Sequence, residues 1–176
     1  MPSLADGLTV WLTGLPSAGK TTVGRALADR LRTEGRLVEI LDGDLVREHL
    51  TADLGFSRAD RDENVRRIGF VAHLLSRNGV VAICSVISPF RAARDEVRAL
   101  HKGRFFEVHV AAPLEVCAAR DVKGLYAKQR SGQISGLTGV DDPYEAPLLP
   151  ELVLQTGSQN LDQSVTLLVE TLKPAI

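Results

Sequence analysis

Apolar positions recur along the chain in two spacings, one suited to buried strands and one to helices. Leu8-Thr9-Val10-Trp11-Leu12-Thr13 is apolar and β-prone and predicts a first strand. Val23, Ala26, Leu27 and Leu31 follow at helical spacing. Arg36 to Leu41 predicts a second strand, expected beside the first, and Asp42-Gly43-Asp44 closes it as a turn. A short helix is expected over Leu45 to Leu50. A longer one runs from about Arg58 to Arg77, with Ser57 as its cap and Val65, Ile68, Val71, Ala72 and Leu75 on one face. Val80 to Cys84 is continuously apolar, as a parallel strand buried on both faces should be. Arg91 to His101 reads as an amphipathic helix, Phe105 to Val110 as a strand, and Leu114 to Arg120 as a short helix begun by Pro113. Residues 121–150 carry no apolar period and are expected to be irregular. Leu152 to Leu154 and Leu161 to Leu172 supply a last strand and helix. Five strands alternating with helices predict a three-layer α/β fold around a five-stranded parallel sheet, with ligands at the carboxyl ends of the strands.

Length and composition support one domain over residues 1–176, with 121–150 as a lid segment. The formal net charge of −1 and 5% aromatic content give no bulk field or stacking surface for nucleic acid. No apolar run is long enough to span a bilayer, and Met1 to Asp6 lacks the regions of a signal peptide. Cys84 and Cys117 sit in apolar segments without metal or redox spacing, so a reduced, cytoplasmic protein is expected. The four histidines form no metal-ligand pair.

Chemistry enters between the first strand and the first helix. Gly14-Leu15-Pro16-Ser17-Ala18-Gly19-Lys20-Thr21 fits G-x-x-x-x-G-K-[ST], with Thr22 just beyond it. Glycines at both ends let the backbone curl so that several N–H groups and a helix N-terminus converge on phosphates. Lys20 then reaches the β- and γ-phosphates of ATP, and the Thr21 hydroxyl suits Mg²⁺. Asp42 and Asp44 are the nearest candidate carboxylates. Asp42 suits the Mg²⁺ shell and Asp44 suits orienting or deprotonating an acceptor hydroxyl, although Asp-Gly-Asp is also a common turn.

Arg61, Asn64 and Arg67 share one helical face, and Arg47 can join them. Such a group suits an anionic acceptor, and it equally suits a solvated face paired with nearby acids. Phe56 can stack on a base or staple the following helix, and the staple is the simpler reading of one aromatic. Lys123, Lys128 and Arg130 suit a lid over phosphates, with Arg120 against adenine, and they equally suit a solvated surface loop. Asp121-Val122-Lys123-Gly124 matches the D-x-x-G of GTPases, but it falls too late and no N-K-x-D follows.

Taken together, Gly7–Leu15, Leu41–Asp44, Leu54–Ser57, Arg61–Ile68, Ile87–Pro89, Arg120–Tyr126 and Thr138–Glu145 resemble the adenylylsulfate kinase (APS kinase) family in order and spacing, across nearly the whole chain. The resemblance implies a P-loop kinase fold and a reaction in which ATP phosphorylates the 3′-hydroxyl of adenylylsulfate to give 3′-phosphoadenylylsulfate (PAPS). It implies substrate contacts at Asp44, Arg47, Phe56, Arg61, Asn64, Ile87 and Lys123. It also implies a role for Ser88, a position described in the family as a phosphoserine, though direct in-line transfer does not require one. A homodimer is implied too. Leu137 departs from the family pattern, standing where many members carry a Phe that would face the residue matching Phe56 across the adenine. Leucine keeps apolar contact and loses ring stacking, which favours either weaker substrate binding or a different acceptor, such as a cytidine diphosphate derivative. A nucleotide-binding regulatory subunit without turnover is a third reading, disfavoured by intact Lys20, Thr21, Asp42 and Asp44.

Overall fold

The computed structural model describes residues 7–173, so the expectation for Met1 to Asp6 lies outside the described residues. The elements follow the order β1 (Leu8–Thr13), α1 (Lys20–Thr33), β2 (Val38–Asp42), α2 (Gly43–His49), α3 (Arg58–Ser76), β3 (Val81–Ser85), α4 (Arg91–His101), β4 (Phe105–Val110), α5 (Leu114–Arg120), α6 (Leu125–Arg130), β5 (Leu152–Leu154) and α7 (Leu161–Leu172). The five strands form one parallel sheet in the order β2-β3-β1-β4-β5.

That order corrects one expectation. β2 does not lie beside β1, because β3 is inserted between them. The crossover through α1 carries the chain one strand too far, and α2 and α3 bring it back into the gap. Register keeps the strand ends level all the same: Leu12 pairs with Ser85, and Ser85 with Asp42. Asp42 therefore ends at the height of the P-loop although it is two strands away.

Alternation along β1 decides the layers. Leu8, Val10 and Leu12 join an apolar cluster with Leu27 and Leu31 of α1 and Leu168 and Leu172 of α7. Trp11 points the other way, into a cluster with Val65, Ile68 and Ala72 of α3 and Val97 of α4. A period of two in the strand thus meets a period near 3.6 in helices on both faces. Thr9 and Thr13 share the Trp11 face and are fully buried, each hydroxyl donating to a main-chain carbonyl: Thr9 to Ala72 and Thr13 to Ile87. Ser57 caps α3 as expected. Its hydroxyl accepts from the Asp60 N–H at 3.1 Å, and the Asp60 carboxylate accepts from the Ser57 N–H at 3.2 Å.

The stretch 121–150 is less irregular than its composition suggests, since it contains α6. Gly124 is that helix's N-cap, and the carboxylate of Asp121, at the end of α5, accepts from the N–H groups of Tyr126 and Ala127 in its first turn at 3.0 and 2.9 Å. These bonds to first-turn N–H groups, rather than a GTPase motif, explain Asp121. Tyr126 anchors α6 by donating its buried hydroxyl to the Pro16 carbonyl at 2.9 Å. Beyond α6, Arg61 of α3 straps the chain down. Its Nε donates to the Phe56 carbonyl at 2.8 Å, Nη1 to the Thr138 hydroxyl at 2.6 Å, and Nη2 to the Gly136 carbonyl at 2.6 Å and Asp142 Oδ2 at 2.9 Å. Glu145 then accepts from the first N–H of α4, at Arg91, across 2.9 Å.

Two outcomes are expected from these contacts. Arg61→Met should accelerate amide exchange of residues 136–142 by roughly tenfold or more while β1 and β3 stay protected, as mass-resolved hydrogen exchange would show. His101 gives a pH effect. Its ring is buried against Phe105 and His73, Nδ1 lies 2.7 Å from the Val97 carbonyl, and Nε2 has no partner. Burial above all holds its pKa below the ordinary 6.5. As pH falls, the unfolded chain takes up the proton first, so stability is lost below about 6.5. Urea midpoints at pH 7.5 and 5.5 should show that loss. His101→Phe should flatten it without abolishing it, because His73 and His109 are shifted in the same direction.

Candidate active site

The P-loop curls tightly where the sequence places glycine. A Cβ on Gly14 would stand 2.5 Å from the Val110 carbonyl oxygen, and Gly19 takes φ +105° at the cap of α1. Lys20 is the first residue of α1, and its ammonium folds back to donate to the carbonyls of Gly14 and Leu15 at 2.9 and 2.7 Å. Burial lowers its pKa to about 7, with Lys123 adding to the shift and Cys117 and Asp42 opposing it. A cation so desolvated gains from an arriving polyphosphate. The loop's far side is braced by Ala18, whose carbonyl accepts from Thr156 Oγ1 at 2.7 Å and from Arg120 Nη1 at 3.3 Å. Arg120 also donates to the Thr156 carbonyl. Ser17 (φ +61°) and Pro16 complete the turn, and Thr22 is exposed just past it.

Thr21 and Asp42 meet at the other side of Lys20, the Thr21 hydroxyl donating to Asp42 Oδ2 at 2.8 Å. Asp42-Gly43-Asp44 is not a free turn. Asp42 caps α2, its Oδ1 accepting from the Asp44 N–H at 3.1 Å. Asp44 stands in the first turn of α2, exposed and paired with Lys123, which reaches over from the α5–α6 connection.

The acceptor-side candidates divide into two groups. Arg47 donates to the carbonyls of Leu54 and Gly55, and its guanidinium lies 4.6 Å from the Phe56 ring centre. The Arg61 guanidinium lies 6.0 Å from that ring. Phe56 is 71% exposed, so it does not staple α3; its ring instead lies against the Arg47 guanidinium, open to solvent. Burial and the neighbouring Arg61 both pull Arg47 below the ordinary guanidinium value, an electropositive corner suited to an anion. The Asn64 side-chain oxygen accepts from the buried Thr51 hydroxyl at 2.7 Å. Arg67 belongs to the solvated face, engaged by Asp53 and Glu63.

Ser88 and Leu137 occupy other surroundings. Ser88 is buried at φ +42°, its hydroxyl accepting from the Trp11 indole N–H at 3.0 Å and donating to Thr13 Oγ1 at 3.1 Å. Ile87 precedes it, partly exposed, with its carbonyl held by Thr13. Leu137 is 6% exposed and belongs to the large apolar cluster that includes Ala18 and Tyr126, whereas Phe56 stands at the surface. Sequence reasoning missed Thr51, Tyr126, Thr156 and Arg94. Their partners lie far away in sequence or on the main chain, and nothing in a linear pattern marks them.

The sequence profile of the adenylylsulphate kinase family matches residues 6–155. An adenylyl-sulfate kinase of Synechococcus sp. (strain JA-2-3B'a(2-13)) is 58% identical over 167 residues, covering 95% of each chain. One from Halothermothrix orenii is 53% identical over 167 residues, covering 95% of this chain and 90% of its own. Among solved structures, the Mycobacterium tuberculosis APS kinase in complex with AMPPNP and APS superposes with a TM-score of 0.91 at 42% identity, over 96% of this chain and 98% of that one. A gluconokinase from Sinorhizobium meliloti, at 21% identity and a TM-score of 0.61, shares the fold alone. Matched from ahead of β1 through β5, the chain belongs to the adenylylsulphate kinase family.

Proposed function

We propose that this enzyme transfers the γ-phosphoryl group of ATP to the 3′-hydroxyl of adenylylsulfate, giving PAPS and ADP. One observation carries the reading. Thr21, next to Lys20 of the P-loop, bonds to Asp42 at the cap of α2, and the same short helix carries Asp44 and, one turn on, Arg47 with the Phe56 ring against it, so this reading brings a phosphate donor and an aromatic, anionic acceptor to one helix. The complex of the Mycobacterium tuberculosis relative with a nucleotide analogue and APS supports it.

In this reading the P-loop amides and Lys20 hold the β- and γ-phosphates, and Arg120 lies along the adenine. Asp44 accepts the proton of the attacking hydroxyl, released from Lys123 as the acceptor enters. Arg47, Arg61, Asn64, Ile87 and Lys123 hold the acceptor's anionic groups and ribose, and Phe56 stacks on its base. Ser88 acts by position, since its hydroxyl is already engaged on both sides. Thr21 and Asp42 fit a Mg²⁺ ion, because they bring a hydroxyl and a carboxylate together beside Lys20. No cluster of three acidic, His or Cys ligands exists among the described residues, which suits a metal held largely by nucleotide phosphates and water. Bound there, Mg²⁺ would neutralise charge building on the transferred group.

Residues 121–135, with α6 hinged on Tyr126, are the part of the 121–150 segment we assign as the lid, since 136–146 is strapped by Arg61 and Glu145. Closure excludes water, whose attack on ATP competes with transfer. Two buried free thiols suit a reducing cytoplasm. No helix among the described residues is long and apolar enough to cross a membrane. For assembly we propose the homodimer that the family resemblance implies, which sedimentation would check.

Incubation with ATP, Mg²⁺ and adenylylsulfate should yield PAPS and ADP in equal amounts by mass, with AMP and cytidine diphosphate inert as acceptors. Lys20→Ala should abolish product. Asp44→Asn should lower kcat by about 10²–10⁴-fold with the KM for ATP nearly unchanged. ADP without PAPS, or product only from cytidine diphosphate, would overturn the acceptor assignment.

A further inference from the structure

Arg94 of α4 is 2% exposed, yet it is a full cation set between helix and sheet. Its guanidinium ends on three different parts of the chain. Nε donates to Glu107 Oε1 of β4 at 2.7 Å, Nη1 to the Ser88 carbonyl at 2.6 Å, and Nη2 to the Glu145 carbonyl at 2.7 Å. A buried ion pair is weak grounds for stability, because apolar packing of similar volume often serves as well. What this one does supply is direction: a planar fork reaches three carbonyl or carboxylate oxygens at fixed angles, which an ammonium cannot reproduce.

The main-chain targets matter. Ser88 holds a left-handed φ of +42°, uncommon and costly for a residue with a Cβ, so its conformation must be imposed by neighbours. Trp11 and Thr13 fix its side chain, and Arg94 fixes its carbonyl. Glu145 neighbours Tyr144, whose hydroxyl lies 3.0 Å from Thr13 Oγ1, and the Glu145 N–H donates to the Pro89 carbonyl at 2.8 Å. One guanidinium thus ties the Ile87–Ser88 loop to the strapped end of the 121–150 segment. Behind it the charges continue outward, Glu107 Oε2 accepting from Arg98 and Arg98 pairing with Glu151.

We propose that Arg94 is a positioning residue for the acceptor, setting the Ile87–Ser88 main chain against the substrate side of the cleft while touching no substrate itself. The proposal rests on the adenylylsulfate reading given above. Arg94→Lys and Arg94→Met should raise the KM for adenylylsulfate by roughly tenfold or more while the KM for ATP stays within about twofold, the lysine restoring little. Glu151→Gln is the control. It cuts the outer end of the charge ladder and should lower the urea midpoint with both KM values unchanged. If the Arg94 variants lose stability but keep the wild-type KM for adenylylsulfate, Arg94 is a core residue only and the proposal falls. If Arg94→Met does not fold, Arg94→Lys carries the comparison. Should the wild-type protein make no PAPS, the acceptor reading fails by itself. Amide exchange of residues 86–90 and 144–146 in Arg94→Lys then decides: faster exchange confined to both segments supports the positioning role, and unchanged exchange ends it.

Discussion

β1 is hydrogen-bonded on both edges, to β3 and to β4, and every residue from Leu8 to Thr13 is buried. A strand so enclosed cannot slide or tilt, since a shift of one residue would turn Trp11 and Val10 to the wrong faces. The chain leaving its carboxyl end must therefore turn at once, within the space left by the Val110 carbonyl. Gly14 is the residue that fits. The P-loop, the start of α1 at Lys20 and the Thr21–Asp42 contact all follow from where that strand stops.

In the reading proposed above, the cleft that begins at this strand end divides into a donor half and an acceptor half. The donor half is braced from behind, with Tyr126 on Pro16 and with Thr156 and Arg120 on Ala18. The acceptor half is built from side chains on α2 and α3 that lean on main-chain carbonyls, as Arg47 does on Leu54 and Gly55. Asp44 belongs to neither brace. It stands exposed with Lys123 opposite, and so the carboxylate assigned to proton transfer is also a contact of the α5–α6 connection.

Much of this was readable from the chain. The P-loop, the strands and the Ser57 cap each have a local signature, and the structure puts them where the pattern does. Strand order was not readable from adjacency in sequence, because β1 and β2 are consecutive in the chain and yet separated by β3. α6 escaped because one buried anchor, Tyr126, and the Asp121 carboxylate on its first turn suffice for so short a helix, leaving no apolar period to detect. The roles of the arginines divided only in three dimensions. Arg67 meets acids already visible nearby, whereas Arg61 and Arg94 each also meet a carbonyl tens of residues distant, at Gly136 and Glu145. Phe56 has the sequence of a staple and the exposure of a free ring, a difference that depends on Arg47 standing beneath it.

The chain has one tryptophan, and it is Trp11. Its indole is sealed in the α3–α4 layer and donates to the Ser88 hydroxyl, a single hydrogen bond from the loop assigned to the acceptor. The enzyme thus carries its own optical gauge. Its emission has no second tryptophan to dilute it, Tyr126 and Tyr144 being the weaker emitters, and its polar partner is the loop residue itself. Rearrangement at Ser88 can then be followed in real time on the unlabelled protein, separately from turnover.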